Sequence, residues 1–189
     1  PTTSSPRRGT VSSSSISRIC LARAMPGCLP DGTVPEQRCC GTTTPSGAGR
    51  QDSRGCPGRC NYCDQSVFGQ RIRGYSADYV IKMIKFLQDT YGIKEIFFQD
   101  DNYVALRKRM IEISKKLIEQ KIDLTYSIMG RVDQVTEEGL MWLKKSGCWQ
   151  INYGLESGDQ QILDNIDKDV TVAQNMKAVK MADDAGISV

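Results

Sequence analysis

The 189-residue sequence contains no histidine. This absence excludes His-based acid–base catalysis, Ser-His-Asp triads and zinc sites with histidine ligands. The chain also lacks an apolar run of about 18 residues, which a membrane span needs, and its N-terminus lacks the continuous apolar stretch of a secretory signal. The formal net charge is only +3, so no nucleic-acid partner is indicated. We therefore expect a cytoplasmic protein without a membrane or nucleic-acid partner.

Residues 1–50 lack lysine and show no sustained helical or strand period. They hold most of the prolines and are rich in serine and threonine, for example in Ser12–Ser15 and Thr42–Thr44. Such a composition buries too little apolar surface to offset chain entropy. Two interpretations stay open for this low-complexity segment: a disordered tail, or non-native sequence such as the product of a frame error.

From residue 76 onward, helical and strand periods alternate. Ser76, Thr136 and Thr171 can each cap a helix. The pattern predicts strands over 93–99, 122–129 and 149–155, and helices over 77–91, 104–120, 137–146, 159–166 and 172–185. This alternation is typical of an α/β fold with a parallel sheet, in which right-handed crossovers form an open sheet or a barrel. In such folds the chemistry lies on loops at the carboxyl ends of the strands.

Three of the eight cysteines form the motif C-x3-C-x2-C: Cys56, Cys60 and Cys63. Three thiolates on one loop can hold three corners of a cuboidal iron–sulfur cluster, whereas ordinary 4Fe–4S electron carriers use four cysteines. The remaining iron would stay open to another ligand, as metal chemistry on a substrate requires. A zinc knot would need a fourth ligand, and the nearest downstream cysteine is Cys148, at the end of a predicted helix. The cysteines before residue 50 match no paired metal-site spacing.

The cysteine motif, with an aromatic residue before its third cysteine, resembles the cluster loop of the radical S-adenosylmethionine (radical SAM) superfamily. The segments SRGC (53–56), FFQDDN (97–102), GRVD (130–133) and INYGLESG (151–158) follow in order. Together they resemble the subgroup that often carries a cobalamin-binding domain upstream. The resemblance implies that residues 51–189 form a partial radical SAM core domain, an incomplete (β/α) barrel of parallel strands.

The resemblance also implies a set of cofactors and partners. Cys56, Cys60 and Cys63 would ligate a 4Fe–4S cluster whose open iron binds S-adenosylmethionine. An electron from a donor such as flavodoxin or ferredoxin would then cleave S-adenosylmethionine to a 5′-deoxyadenosyl radical, which modifies a small-molecule substrate. Methyl transfer is one such modification, and the full-length parent could bind cobalamin.

Three of the implied cofactor-binding positions lie in the cysteine motif and in the last matching segment. Tyr62 would flank the adenine, with simple packing as the alternative. Glu156 would bond the ribose hydroxyls, with a solvated carboxylate at a strand end as the alternative. Gly154 would allow the backbone to approach the cofactor closely. Lys168, in a polar loop, is expected to be solvated.

The other implied positions follow the two middle strands. Asp100 and Asp101 would face the amino group of S-adenosylmethionine. The alternative is that Asp101 or Asn102 caps the next helix. Arg131 would clamp the cofactor carboxylate through two hydrogen bonds, with an ion pair as the alternative.

The chain departs from the family pattern at both ends. Residues 42–52 show no apolar strand leading into the cysteine loop, and a last strand only begins at Ile187. We therefore expect a fragment with exposed strand edges, which is prone to aggregation and inactive alone. The alternative function is a non-catalytic iron–sulfur or zinc-binding module, with four protein ligands and a metal indifferent to S-adenosylmethionine.

Overall fold

A parallel sheet with flanking helices makes up the part of the chain that the computed structural model describes, residues 47–189. For residues 1–46, the expectation of a disordered tail or of non-native sequence lies outside the described residues. The elements in chain order are β1 (Gly47–Arg50), β2 (Ser53–Arg54), β3 (Arg73–Gly74), α1 (Ala77–Tyr91), β4 (Glu95–Phe98), α2 (Arg107–Glu119), β5 (Thr125–Gly130), α3 (Glu137–Lys145), β6 (Cys148–Tyr153), α4 (Gln160–Asn165) and α5 (Val172–Asp184).

The main sheet has the strand order β1-β4-β5-β6, and every neighbouring pair is parallel. Helices connect β4, β5 and β6. Strands that are neighbours in the main sheet therefore also follow one another along the chain, apart from β2 and β3. β2 and β3 form a separate antiparallel pair. Ser188 forms a parallel bridge to Gln150, as predicted for a further strand after Gly186. The predicted α/β class and parallel sheet are therefore confirmed.

The expectation that no strand leads into the cysteine loop is wrong. β1 pairs in parallel with β4, with Ala48 opposite Ile96 and Arg50 opposite Phe98. Its sequence, GAGR, shows no apolar period, and backbone pairing defines the strand instead. Gly49 lies against another side chain, since a Cβ there would be 2.9 Å from Nε2 of Gln99. The sheet thus begins inside the segment predicted as low-complexity.

Local capping signals place most helices where the sequence predicts them. α1 begins after Ser76, whose Oγ accepts from the Tyr79 amide at 3.3 Å, and ends before Gly92 in a left-handed conformation. Thr171 and Gln174 form a capping box at α5. The predicted helix 104–120 is wrong at its start, where a 3-10 turn, Tyr103–Ala105, precedes α2.

The core lies between the sheet and its helices. Phe98 is fully buried, and its ring meets Tyr126 edge-on at 5.4 Å and Tyr103 at 4.9 Å between ring centroids. Apolar residues of α1 and α2, such as Val80 and Ile113, complete this layer. Within residues 47–189, no helix is long and apolar enough to cross a bilayer.

Parallel pairing brings the carboxyl ends of four strands to one edge of the sheet. The segments that follow β1, β4, β5 and β6 contain the cysteine loop, Asp100, Arg131 and Glu156 in turn. Residues far apart in the chain therefore meet at this edge.

Candidate functional site

The cysteine loop follows β2 and carries three free thiols in different environments. Cys60 is buried, Cys56 is half-buried and Cys63 is exposed. The amide of Cys63 donates to the carbonyl of Cys60 at 3.2 Å, and the amide of Cys56 donates to Gly69 at 3.3 Å. Burial, followed by the nearby Cys56 and Cys60 thiolates, raises the pKa of the Cys63 thiol. The Cys63 thiol therefore lies within electrostatic range of the other two cysteines.

Two glycines allow this loop its close approaches. Gly55 has a φ of 91°, and a Cβ there would lie 2.5 Å from the Arg71 carbonyl oxygen. A Cβ at Gly58 would lie 2.6 Å from Nη1 of Arg131. A side chain at either position would displace the loop from its surroundings.

The thiol donors fit a cluster with an open iron better than a closed zinc site. Cys148, the remaining described cysteine, is buried in β6, and its thiol donates to the Gln150 carbonyl at 3.4 Å. Burial raises the pKa of Cys148 to about 12, as is typical of a structural thiol in a protein core. Across residues 47–189, no three or more Cys, Asp or Glu side chains are arranged around a single metal ion. A four-iron cluster, by contrast, takes one thiolate on each of several irons.

Asp100 and Asp101 attach the start of the cysteine loop to the end of β4. Asp100 is fully buried, and its carboxylate accepts from the Asp52 amide at 2.6 Å and from the Ser53 hydroxyl at 2.5 Å. The Asp101 carboxylate accepts from the Gly55 amide at 2.7 Å. Burial raises the pKa of Asp100. Both carboxylates therefore bond the protein backbone or a hydroxyl on the segment before Cys56.

The helix-capping alternative for this segment is not what the structure shows. Asn102 precedes the 3-10 turn without a side-chain capping bond. Its side chain instead donates to Gln134 at 2.9 Å and accepts from the Arg131 amide at 3.3 Å. Asn102 thereby joins the loops after β4 and β5.

Two charged residues at the segment leading into the cysteine loop, Asp52 and Arg109, are not among the predicted site residues. Asp52 is buried and forms an ion pair with Arg50. Arg109 donates to the Tyr75 carbonyl at 2.6 Å and to the Asp52 carbonyl at 3.0 Å. Because both bonds of Arg109 go to backbone carbonyls, no pattern of residue types predicts them. The polar run RQD just before the loop is the only signal in the sequence.

Asp52 makes the fold sensitive to pH. Burial, and to a lesser degree the charge of Asp100, raises the pKa of Asp52 from 3.8 to about 6, against the opposing charge of Arg50. The folded state binds this proton more tightly than the unfolded chain, so the stabilisation is complete below about pH 4 and is lost as the pH rises to about 6. We expect the free energy of unfolding to lose about 3 kcal/mol from this group across that window.

Urea unfolding between pH 4 and pH 7 measures this effect, with Asp52→Asn as the variant that cannot titrate. The difference in unfolding free energy between wild type and Asp52→Asn should change with pH within the window and stay constant above it. Parallel pH profiles for the two proteins would show that Asp52 titrates alike in both states.

Tyr62, Glu156 and Lys168 form one polar cluster beside the cysteine loop. The Tyr62 hydroxyl donates to Oε1 of Glu156 at 2.8 Å, and the Lys168 ammonium reaches the same oxygen at 2.9 Å and the Tyr62 hydroxyl at 3.0 Å. The bond from Lys168, opposed by partial burial and aided by Tyr62, lowers the pKa of Glu156. Partial burial and then the bond to Glu156 raise the pKa of Tyr62. Glu156 is thus held as a fixed carboxylate.

The expectation that Lys168 is solvated is wrong, since only 5% of it is exposed. Asp167 and Asp169 on either side adopt left-handed conformations with φ near 51° and 57°. This local backbone conformation accompanies the inward position of the lysine, and no hydrophobic period in the sequence predicts it. Gly154 leaves space for the Lys168 and Glu156 side chains, because a Cβ there would be 2.6 Å from Oε1 of Glu156 and 3.0 Å from Nζ of Lys168.

Arg131 lies beneath the cysteine loop with all three guanidinium nitrogens engaged. Nε donates to Asp133 at 2.9 Å, Nη2 donates to the Lys168 carbonyl at 2.8 Å, and Nη1 donates to the Cys60 sulfur at 3.4 Å. Arg131 therefore forms an ion pair with Asp133, which was the alternative to a contact with the cofactor carboxylate. Arg131 therefore links the Cys60 thiol to the backbone carbonyl of Lys168.

Comparisons with known proteins agree with this architecture. A family model described as the radical SAM superfamily matches residues 51–189. An uncharacterized methyltransferase of Pyrococcus horikoshii is 38% identical over 136 residues, covering 71% of this chain and 30% of that protein. An anaerobic magnesium-protoporphyrin IX monomethyl ester cyclase of Rubrivivax gelatinosus is 30% identical over 137 residues, covering 71% of this chain and 25% of the cyclase.

A solved structure of the cobalamin-dependent S-adenosylmethionine radical enzyme OxsB has the same fold. Its TM-score is 0.67 at 22% identity, and the match covers 74% of this chain and 22% of OxsB. The chain spans less than a third of the length of each of these three proteins.

Proposed function

The chain belongs to the radical SAM superfamily, and from this premise we propose that it forms the cluster- and S-adenosylmethionine-binding part of a radical enzyme. The observation that carries the proposal is the loop of three free cysteines at the carboxyl edge of a parallel sheet. Cys56, Cys60 and Cys63 would hold a 4Fe–4S cluster and leave one iron open.

Once bound and reduced by a one-electron donor, the cluster would supply the electron for reductive cleavage of S-adenosylmethionine. The described residues would bind and orient the cofactor. Glu156 is held by two hydrogen bonds, from Tyr62 and Lys168, and would accept hydrogen bonds from the ribose hydroxyls. Tyr62 is 53% exposed, so one side of its ring is free to flank the adenine.

The geometry supports a different role for three other residues that the resemblance places at the cofactor. Asp100 already accepts two hydrogen bonds inside the protein, and Asp101 accepts one from Gly55. Every nitrogen of the Arg131 guanidinium has a protein partner. We propose that these side chains hold the cysteine loop in place, and that contact with the cofactor falls to Tyr62 and Glu156.

The substrate and the net reaction are proposals that draw on relatives of which the chain spans less than a third. One relative is named as a methyltransferase and another as a cyclase, and OxsB is described as cobalamin-dependent. We propose a small-molecule substrate and a one-electron donor of the flavodoxin or ferredoxin type. Methyl transfer with cobalamin in the full-length parent is the modification that these names favour.

Equilibrium dialysis with radiolabelled S-adenosylmethionine tests the proposal. The 189-residue chain, loaded anaerobically with iron and sulfide, should bind the cofactor in a saturable way, whereas the iron-free chain should not. A loaded chain that binds none would indicate the non-catalytic metal module instead. Equal binding with and without iron would show a cofactor site that does not involve the cluster.

Glu156→Gln should weaken this binding about tenfold or more, because a hydrogen bond to a charged group contributes about 1.5–3 kcal/mol. Glu112→Gln is the matched control, since Glu112 lies on the outer face of α2, 3.7 Å from Lys116. The control should bind like wild type at the same iron content. Equal affinities for both variants would place the ribose elsewhere.

A further inference from the structure

We propose that Arg131 raises the reduction potential of the cluster through its contact with the sulfur of Cys60. This inference rests on the proposed function, because it assumes that Cys60 is a cluster ligand. It assigns to Arg131 an effect on the cluster rather than a contact with S-adenosylmethionine. The readout is therefore a potential, which is measured without the cofactor or a substrate.

The contact itself is a hydrogen bond from a buried cation to a thiol. Nη1 of Arg131 lies 3.4 Å from Sγ of Cys60. Arg131 is only 7% exposed, and Cys60 is the most buried of the three loop cysteines. Low exposure matters because water would otherwise screen the charge of the guanidinium from the sulfur.

The guanidinium is held in this position from two further sides. Asp133 accepts from Nε, and the carbonyl of Lys168 accepts from Nη2 at 2.8 Å. Gly58 lies directly over Nη1, and any larger residue there would push the two apart. Because each arm is occupied, the arginine cannot turn towards another partner without breaking several bonds.

Such a contact favours the reduced form of a cluster. Reduction adds one electron, taken here from a low-potential one-electron donor, and this makes the cluster and its thiolates more negative without proton transfer. A hydrogen bond and a positive charge at a ligand sulfur stabilise that added charge. Hydrogen bonds to the sulfurs and solvent exposure are among the features that set such potentials.

The experiment is a redox titration of the iron-loaded 189-residue chain, followed by electron paramagnetic resonance, for wild type, Arg131→Met, Arg131→Lys and Arg59→Gln. Arg131→Met removes the charge and its donors. Arg59→Gln is the matched control, because Arg59 adjoins Cys60 in sequence but has a side chain that is 73% exposed. Iron content and circular dichroism verify that each protein is folded and loaded.

Arg131→Met should lower the equilibrium constant for one-electron reduction at least tenfold, which is a negative shift of about 59 mV. Arg131→Lys keeps a positive charge and should shift the potential less, while Arg59→Gln should match wild type. Equal shifts for Arg131→Met and Arg59→Gln would overturn the inference, as would no shift in either. If both Arg131 variants fail to load while Arg59→Gln loads normally, Arg131 only supports the loop, and an effect on the potential is overturned. A wild-type chain that assembles no four-iron cluster would overturn the proposed function and, with it, this inference.

Discussion

Replacing Cys60 with alanine is expected to abolish assembly of a four-iron cluster on the chain. With only three loop thiolates available, the loss of one leaves two ligands, and the remaining described cysteine is buried in β6. Cys60 is also the thiol that Arg131 contacts. Iron and sulfide per chain, together with the visible absorbance of the reconstituted protein, should fall from a loaded wild type to background.

Cys148→Ala provides the matched control for this prediction. It removes one thiol from the same chain, but from the core of the sheet rather than from the loop. The control should load iron like wild type, although it loses some stability because a small cavity is left. If Cys60→Ala loads fully, the C-x3-C-x2-C loop is not the site. If Cys148→Ala loses the cluster while it stays folded, Cys148 is a fourth ligand. No iron of the cluster would then be open to S-adenosylmethionine.

Asp100→Ala is expected to destabilise the fold by about 2–4 kcal/mol, because two buried donors lose their acceptor. These donors are the Asp52 amide and the Ser53 hydroxyl, which lie on the segment leading into the cysteine loop. We expect a reduced capacity to load iron as well, since the loop loses its attachment to β4. Urea unfolding of the iron-free protein measures the stability, and iron content measures the second effect.

Asp101→Ala is the comparison within the same pair. Asp101 is exposed and accepts one hydrogen bond, from Gly55 at 2.7 Å, so its loss should cost only about 1 kcal/mol. Equal losses for the two variants would contradict the distinction drawn between them. A fully stable Asp100→Ala protein that instead loses affinity for S-adenosylmethionine would support the cofactor role that the resemblance implies.

Short-range patterns account for what could be predicted from the sequence. The apolar spacing in 77–91 and the caps at Ser76 and Thr171 depend on neighbours within one helical turn, and the structure has these helices as predicted. The three cysteines lie within eight residues, so their shared loop follows directly from the chain. The convergence of the remaining site residues follows from parallel pairing, which places strand ends together.

What could not be predicted depends on contacts between distant segments. β1 is a strand because its backbone pairs with β4, and its residues carry no apolar signal. Lys168 is buried because its loop turns inward towards Glu156 and Tyr62. Asp100 and Asp101 are neighbours with the same charge, yet only Asp100 is buried, and no rule of composition distinguishes them.

The most direct test of the central claim is the electron paramagnetic resonance spectrum of the reduced, iron-loaded chain, recorded with and without S-adenosylmethionine. We expect a four-iron signal that shifts when the cofactor is added, because the iron that has no cysteine ligand would then bind S-adenosylmethionine. A folded, loaded chain whose signal is unchanged by the cofactor would contradict the claim that these three cysteines leave an iron open to S-adenosylmethionine.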